Sequence, residues 1–160
     1  MVAMVVALGW VVSGSMEEPV TKVGDNAPAF SVKTENGKTL TQTNFGGKLL
    51  VLNFWASWCQ PCVQEVPSLD AFQKEFAPQG VVVLGVSVDK NPELYNRFRE
   101  QFNVSFETSR DPEWDLAAKY GTFQLPETYI INQDGKVVQK VIAAQNWMDA
   151  KFLESVKKLL

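Results

Sequence analysis

The sequence predicts an α/β fold: a central mixed β-sheet flanked by helices, with an N-terminal β-hairpin and a central αβα insertion. Three observations carry this expectation. Residues 48–54 (KLLVLNF) and 81–88 (VVVLGVSV) are near-continuous apolar runs, as expected of strands buried on both faces. Between them, Val66, Leu69, Phe72 and Phe76 recur at helical spacing, so strand–helix–strand reads as a parallel crossover. Near the C-terminus, two strand-like runs flank Asn132-Gln133-Asp134-Gly135, and that antiparallel hairpin makes the sheet mixed.

The elements follow in chain order. Residues 1–12 (MVAMVVALGWVV) carry no charge, but as a helix they would cover about 18 Å against a hydrocarbon core of roughly 30 Å. No basic residue precedes them, as a signal peptide or anchor would require. The run is read as the remnant of an export signal or membrane anchor, with a buried first strand or helix as the alternative. With the polar linker after it, this segment spans residues 1–18, and one folded domain spans 19–160. Asn36-Gly37 between residues 30–33 and 38–41 signals the first hairpin. The first long helix is expected over residues 62–76, kinked at Pro67 and ended by Pro78 and Gly80.

Asn91-Pro92-Glu93 is a helix start, with Leu94, Tyr95, Phe98 and Phe102 as its apolar face. Asp111-Pro112-Glu113 repeats the signal and opens a short helix that stops before Gly121. Strands at residues 128–131 and 136–142 form the closing hairpin. The last helix is expected to be capped near Asn146 and to run to Leu160, burying Met148, Phe152, Val156 and Leu159.

Composition removes whole classes of chemistry. The chain has 160 residues, 46% apolar and 21% charged, an ordinary globular balance for one domain. Its net charge of −3, without a Lys/Arg-rich block, argues against nucleic acid as a partner. There is no histidine, which excludes Ser-His-Asp and Cys-His mechanisms and histidine-ligated metals. The only two cysteines are Cys59 and Cys62, so the chain is not a disulfide scaffold.

Those sulfurs stand where the first buried strand hands over to the first long helix. The unpaired N–H groups and dipole of a helix start favour an anion, and a thiolate there has its pKa lowered. Cys59, at the helix mouth, is expected to be the exposed nucleophile. Cys62, one turn deeper, is expected to resolve the mixed disulfide that Cys59 forms with a partner. A structural disulfide would close too short a loop to gain much stability. Zinc cannot find four soft ligands here, whereas a copper(I) site on two thiolates remains open, as does inert packing. No metal and no cofactor beyond the Cys59–Cys62 pair is expected.

The surroundings sharpen the motif: residues 54–62 read FWASWCQPC, followed by Glu65-Val66-Pro67 and later by Leu125-Pro126-Glu127-Thr128. Over residues 20–160 the chain resembles the thioredoxin superfamily, and most closely its TlpA/ResA-like thiol-disulfide oxidoreductases. The segment between Asp89 and Tyr120 is similar to the central insertion of that group. The resemblance implies a thioredoxin-like fold and an extracytoplasmic protein-disulfide reductase. Its implied partners are a disulfide-containing protein, apocytochrome c in cytochrome c maturation, and a membrane thiol donor that restores the pair.

Around the sulfurs, Glu65 shares a helix face with Cys62, where a carboxylate raises a thiol pKa or accepts its proton. The resembled group carries a functional glutamate at this place. Cytosolic thioredoxins have a buried aspartate where this chain has Asn53, so any carboxylate needed must come from Glu65. The resemblance also implies a cis bond before Pro126, leaving the Leu125 backbone to pair with an extended substrate. Glu127 tunes substrate choice or is simply a surface residue. Trp55 is expected in the core, and Trp58 at an apolar docking rim. Gln60 and Pro61 help set the reduction potential. A peroxiredoxin-type peroxidase is the rival enzyme, but it would place Thr or Ser where Ala56 stands.

Overall fold

The structure, a computed structural model, describes residues 20–160. The expected export or anchor remnant and its linker lie outside the described residues. Strands β1 (Ser31–Lys33) and β2 (Thr39–Thr41) pair antiparallel across the Asn36-Gly37 turn, where Gly37 takes φ +80°. The main sheet holds β3 (Leu49–Trp55), β4 (Val81–Ser87), β5 (Glu107–Arg110), β6 (Glu127–Asn132) and β7 (Val137–Ile142). Its order is β5-β4-β3-β6-β7. β3, β4 and β5 run parallel, while β6 and β7 are antiparallel to their neighbours. The mixed sheet is therefore as the sequence predicts.

Among the described residues, four α-helices connect and cover the strands: α1 (Gln60–Phe76), α2 (Pro92–Gln101), α3 (Asp115–Tyr120) and α4 (Ala150–Lys157). Alternation along β3 divides the core. Leu50, Leu52 and Phe54 pack in one cluster with Phe30, Leu40, Leu116 and Tyr120 from the hairpin and α3. Leu49 and Val51 face the other way, into a cluster with Leu69, Phe72 and Phe76 of α1 and Phe152 and Val156 of α4. Asn53 continues the second row. Its side chain accordingly meets the α1 side of the sheet.

Several boundaries differ from expectation for identifiable reasons. α1 begins at Gln60, two residues early, because Pro61 fits the first turn of a helix. It runs through Pro67 without a break. α3 starts at Asp115 rather than beside Asp111, yet Asp111 still serves it: its carboxylate accepts from Leu116 and Ala117 N–H. Between them Trp114 sits at φ +62°. α4 is capped by Asp149, which accepts from Lys151 and Phe152 N–H, and it ends at Lys157. Asn146 caps only the preceding turn, through Met148 N–H, and Leu159 is exposed. On α2, Tyr95 and Phe98 are buried but Leu94 faces solvent.

Candidate active site

β3 is the central strand, paired on both sides, and it delivers the redox motif at its C-terminal end. Gly85 of β4 permits the approach of Trp55: a Cβ there would stand 2.9 Å from the indole nitrogen and 2.8 Å from the Phe106 ring. Trp55 is thus core, as expected. Beyond it Cys59 becomes the N-cap of α1, in extended backbone, and its Sγ accepts a hydrogen bond from Cys62 N–H at 3.3 Å. The two cysteines are joined as a disulfide, with Cα atoms 5.3 Å apart.

Accessibility is graded across the motif. Trp58 is 65% exposed, and Gln60 and Pro61 are exposed. Cys59 is only 6% exposed and Cys62 is sealed. The expected exposed nucleophile is therefore nearly covered in the oxidised state, because its sulfur is turned in toward Cys62. It is still the more accessible sulfur of the two.

Glu65 is no surface side chain. It is buried, and three donors hold its carboxylate. Oε1 accepts from Asn53 Nδ2 at 2.9 Å; Oε2 accepts from Trp147 Nε1 at 3.0 Å and from Gln145 N–H at 3.4 Å. Asn53 also donates to Thr128 Oγ1 at 2.9 Å, linking β3 to β6. Burial pushes the Glu65 pKa up, and the hydrogen bonds from Trp147, Asn53 and Gln145 offset that only in part. Sequence reasoning missed Trp147 and Gln145. The one available signal was a bulky aromatic in the polar stretch before the last helix.

The raised Glu65 pKa has a stability consequence. The folded chain holds that proton more tightly than the unfolded chain, so folding is favoured less as pH climbs above the ordinary glutamate range. Glu65→Gln removes this dependence. The stability of wild type relative to Glu65→Gln should fall as pH rises from acid to neutral, measured by urea unfolding of the oxidised proteins. A difference that does not change with pH contradicts it.

The register Phe54↔Glu127 puts the start of β6 at the same end of the sheet as the cysteines. The Leu125–Pro126 bond there is cis. Pro126 is buried and Leu125 half-buried, packed against the cluster that contains Cys59 and Cys62. Glu127 is neither at the surface nor free: it is buried and ion-paired to Lys140 of β7 at 2.7 Å. Lys140 also donates to Thr21 C=O at 3.1 Å. Among the described residues, no group of three or more Cys, Asp or Glu side chains is placed to hold a metal ion.

A sheet of this order, with a Cys-x-x-Cys disulfide where its central strand enters a long helix, defines a thioredoxin-like thiol-disulfide oxidoreductase. Residues 23–140 match the AhpC/TSA family, and the chain belongs to it. The chain is 31% identical over 157 residues to the thiol-disulfide oxidoreductase ResA of Geobacillus thermodenitrificans, covering 96% of this chain and 90% of that one. Identity to ResA of Bacillus subtilis is also 31%, over 144 residues, covering 88% of this chain and 80% of the relative. Among solved structures, a putative thiol:disulfide interchange protein DsbE from Chlorobium tepidum is similar with a TM-score of 0.78 at 25% identity. That match covers 87% of this chain and 98% of the other. These relatives are named for thiol–disulfide exchange, not for peroxide reduction.

Proposed function

We propose that the chain is an extracytoplasmic protein-disulfide reductase, in which Cys59 attacks and Cys62 resolves. The observation that carries this reading is the pair itself: Cys59 caps α1, where four N–H groups lack helical partners, and Cys62 is sealed one turn below. In the reduced chain the Cys59 thiolate attacks one sulfur of a substrate disulfide. That bond breaks, a mixed disulfide forms, and the first substrate sulfur leaves as thiolate. Cys62 then gives up its proton and attacks Cys59 Sγ. The second substrate sulfur leaves, and the chain, oxidised by two electrons, holds the Cys59–Cys62 disulfide.

Glu65 supports both halves of this scheme. One turn past Cys62, its carboxylate opposes premature thiolate formation at the buried sulfur and offers an acceptor when Cys62 loses its proton. A thiolate that is not stabilised at Cys62 also favours the disulfide form of the pair, the property of a reductant.

Docking of a protein substrate is supported by the apolar rim. Trp58 and Phe123 are 65% and 67% exposed, and Leu94 and Ile142 are also exposed. All four stand at the cysteine end: Trp58 in the motif, Leu94 in the first turn of α2, Phe123 in the loop before Pro126, and Ile142 opposite Glu127. Trp58, Leu94 and the half-buried Trp114 line one cleft of about 320 Å³. The Leu125 backbone beside cis-Pro126 is assigned to pairing with the substrate segment, and Gln60 and Pro61 to tuning the pair's potential.

The apolar run at residues 1–12 and the resemblance to TlpA/ResA-like proteins support placement outside the cytoplasm, tethered to the membrane or exported. The same resemblance supports apocytochrome c as substrate and a membrane thiol donor as the source of electrons. The midpoint potential against glutathione tests the direction of exchange. A reductase is expected nearer about −270 mV, whereas a value near about −120 mV would make the chain an oxidant and overturn the proposal.

A further inference from the structure

A second buried carboxylate stands behind the redox motif, and the exchange chemistry above does not use it. Asp89 follows β4 and is 1% exposed. Its Oδ2 accepts hydrogen bonds from Ser57 N–H at 2.8 Å and from the Ser87 hydroxyl at 2.7 Å. Its Oδ1 accepts from the Ser57 hydroxyl at 2.7 Å. Asp89 N–H in turn donates to Ser87 Oγ at 3.0 Å, closing the cluster. On either side, Val88 N–H donates to Trp55 C=O at 3.0 Å and Cys59 N–H donates to Ala56 C=O at 3.2 Å.

Ser57 is thus gripped through both its backbone and its side chain, two residues before the nucleophile. The residue between them, Trp58, is mostly solvent-exposed and cannot fix the turn by packing. Ala56 and Cys59 pack into the core, and the hydrogen bonds that tie the turn between them to the end of β4 all run to this one buried carboxylate. A carboxylate this deeply buried is costly unless its oxygens are satisfied, and here three donors satisfy them.

We propose that Asp89 is a positioning residue for Cys59, clamping Ser57 so that Cys59 Sγ stays over the free N–H groups of α1. The inference rests on the exchange reading above. The stabilisation a helix start gives an anion is confined to its first turn, so a turn that slackens loses it quickly. Two effects of opposite sign compete at Asp89. Its charge disfavours a nearby thiolate, whereas its grip on Ser57 favours the Cys59 thiolate. The sign of the change on removing it therefore reports which one dominates.

The test is the pH dependence of iodoacetamide alkylation of Cys59 in the reduced full chain, read by intact mass, for wild type, Asp89→Asn and Ser57→Ala. Thermal unfolding shows that each is folded. The other ionisable groups at this end of the sheet (Glu65, Lys90, Arg110, Asp111, Glu127 and Lys140) are the same in all three proteins. Asp89→Asn cannot accept all three hydrogen bonds. Its profile should move to higher pH, and its rate near about pH 6.5 should fall on the order of fivefold. Ser57→Ala keeps the backbone donor and should move in the same direction by less; it carries the test alone if Asp89→Asn does not fold. A profile that moves to lower pH, or folded variants that match wild type, would overturn the proposal. A wild-type profile at the value of a free thiol would overturn it too, whereas faster alkylation of Cys62 than of Cys59 in the reduced wild type would defeat the exchange reading itself.

Discussion

Cys62→Ser traps a mixed disulfide between Cys59 and substrate and lowers multiple-turnover reduction on the order of 10³-fold. The sealed position of Cys62 is the reason. With the second sulfur gone, nothing inside the chain reaches Cys59 Sγ, and the adduct waits on external thiol. The adduct should appear in non-reducing gels and by mass with a disulfide-bearing protein, and it should be absent from the Cys59→Ser, Cys62→Ser double variant. Cys59→Ser alone should give no adduct under the same conditions. Adduct formed through Cys62 in that variant would reverse the two roles.

The second large effect is expected at a residue remote in sequence from the sulfurs. Trp147 is fully buried, with its ring edge-on to Phe152 at 5.1 Å and tilted against Phe72 at 5.9 Å. Trp147→Ala should cost about 3–5 kcal/mol of stability through the cavity it leaves. Trp147→Phe separates packing from hydrogen bonding. It keeps most of the ring but removes the Nε1–H that reaches Glu65, costing about 1–3 kcal/mol at neutral pH. Losing that donor should also push the Glu65 pKa further up, so the deficit of Trp147→Phe should shrink as pH falls and Glu65 becomes protonated. Urea unfolding at neutral and acid pH measures both, and a Trp147→Phe deficit that does not depend on pH would remove Trp147 from the Glu65 network.

The fold was largely legible because its signals are local. Asn36-Gly37 specifies a tight turn, the 48–54 and 81–88 runs specify buried strands, and the spacing of Val66, Leu69, Phe72 and Phe76 specifies the helix between them. Where two capping residues compete, local pattern does not decide. Asn146 and Asp149 both satisfy backbone N–H groups, and packing of Phe152 and Val156 selects Asp149 as the start of α4. Leu94 fits the helical stripe of α2, yet that stripe is wider than the surface α2 covers.

The site divides in the same way. Cys59, Cys62 and Glu65 lie within two turns of one helix, so their association is written in the spacing. The surroundings of Glu65 are not: Asn53 reaches it from β3, and Gln145 and Trp147 reach it across 80 and 82 residues of chain. Glu127 misleads for a similar reason. It follows a loop proline and reads as exposed, but the antiparallel pairing of β6 with β7 brings the half-buried Lys140 against it and buries the carboxylate. The Ser57–Asp89 contact likewise exists only because β4 runs parallel to β3 and ends beside it.

Intact-mass analysis of the whole chain, equilibrated in dithiothreitol or in oxidised glutathione and then acid-quenched, tests the sulfur pair most directly. The expected result is a difference of about 2 Da between the two samples, two hydrogens gained on reduction, with no such step in Cys59→Ser. Identical masses under both conditions would contradict a redox role for Cys59 and Cys62.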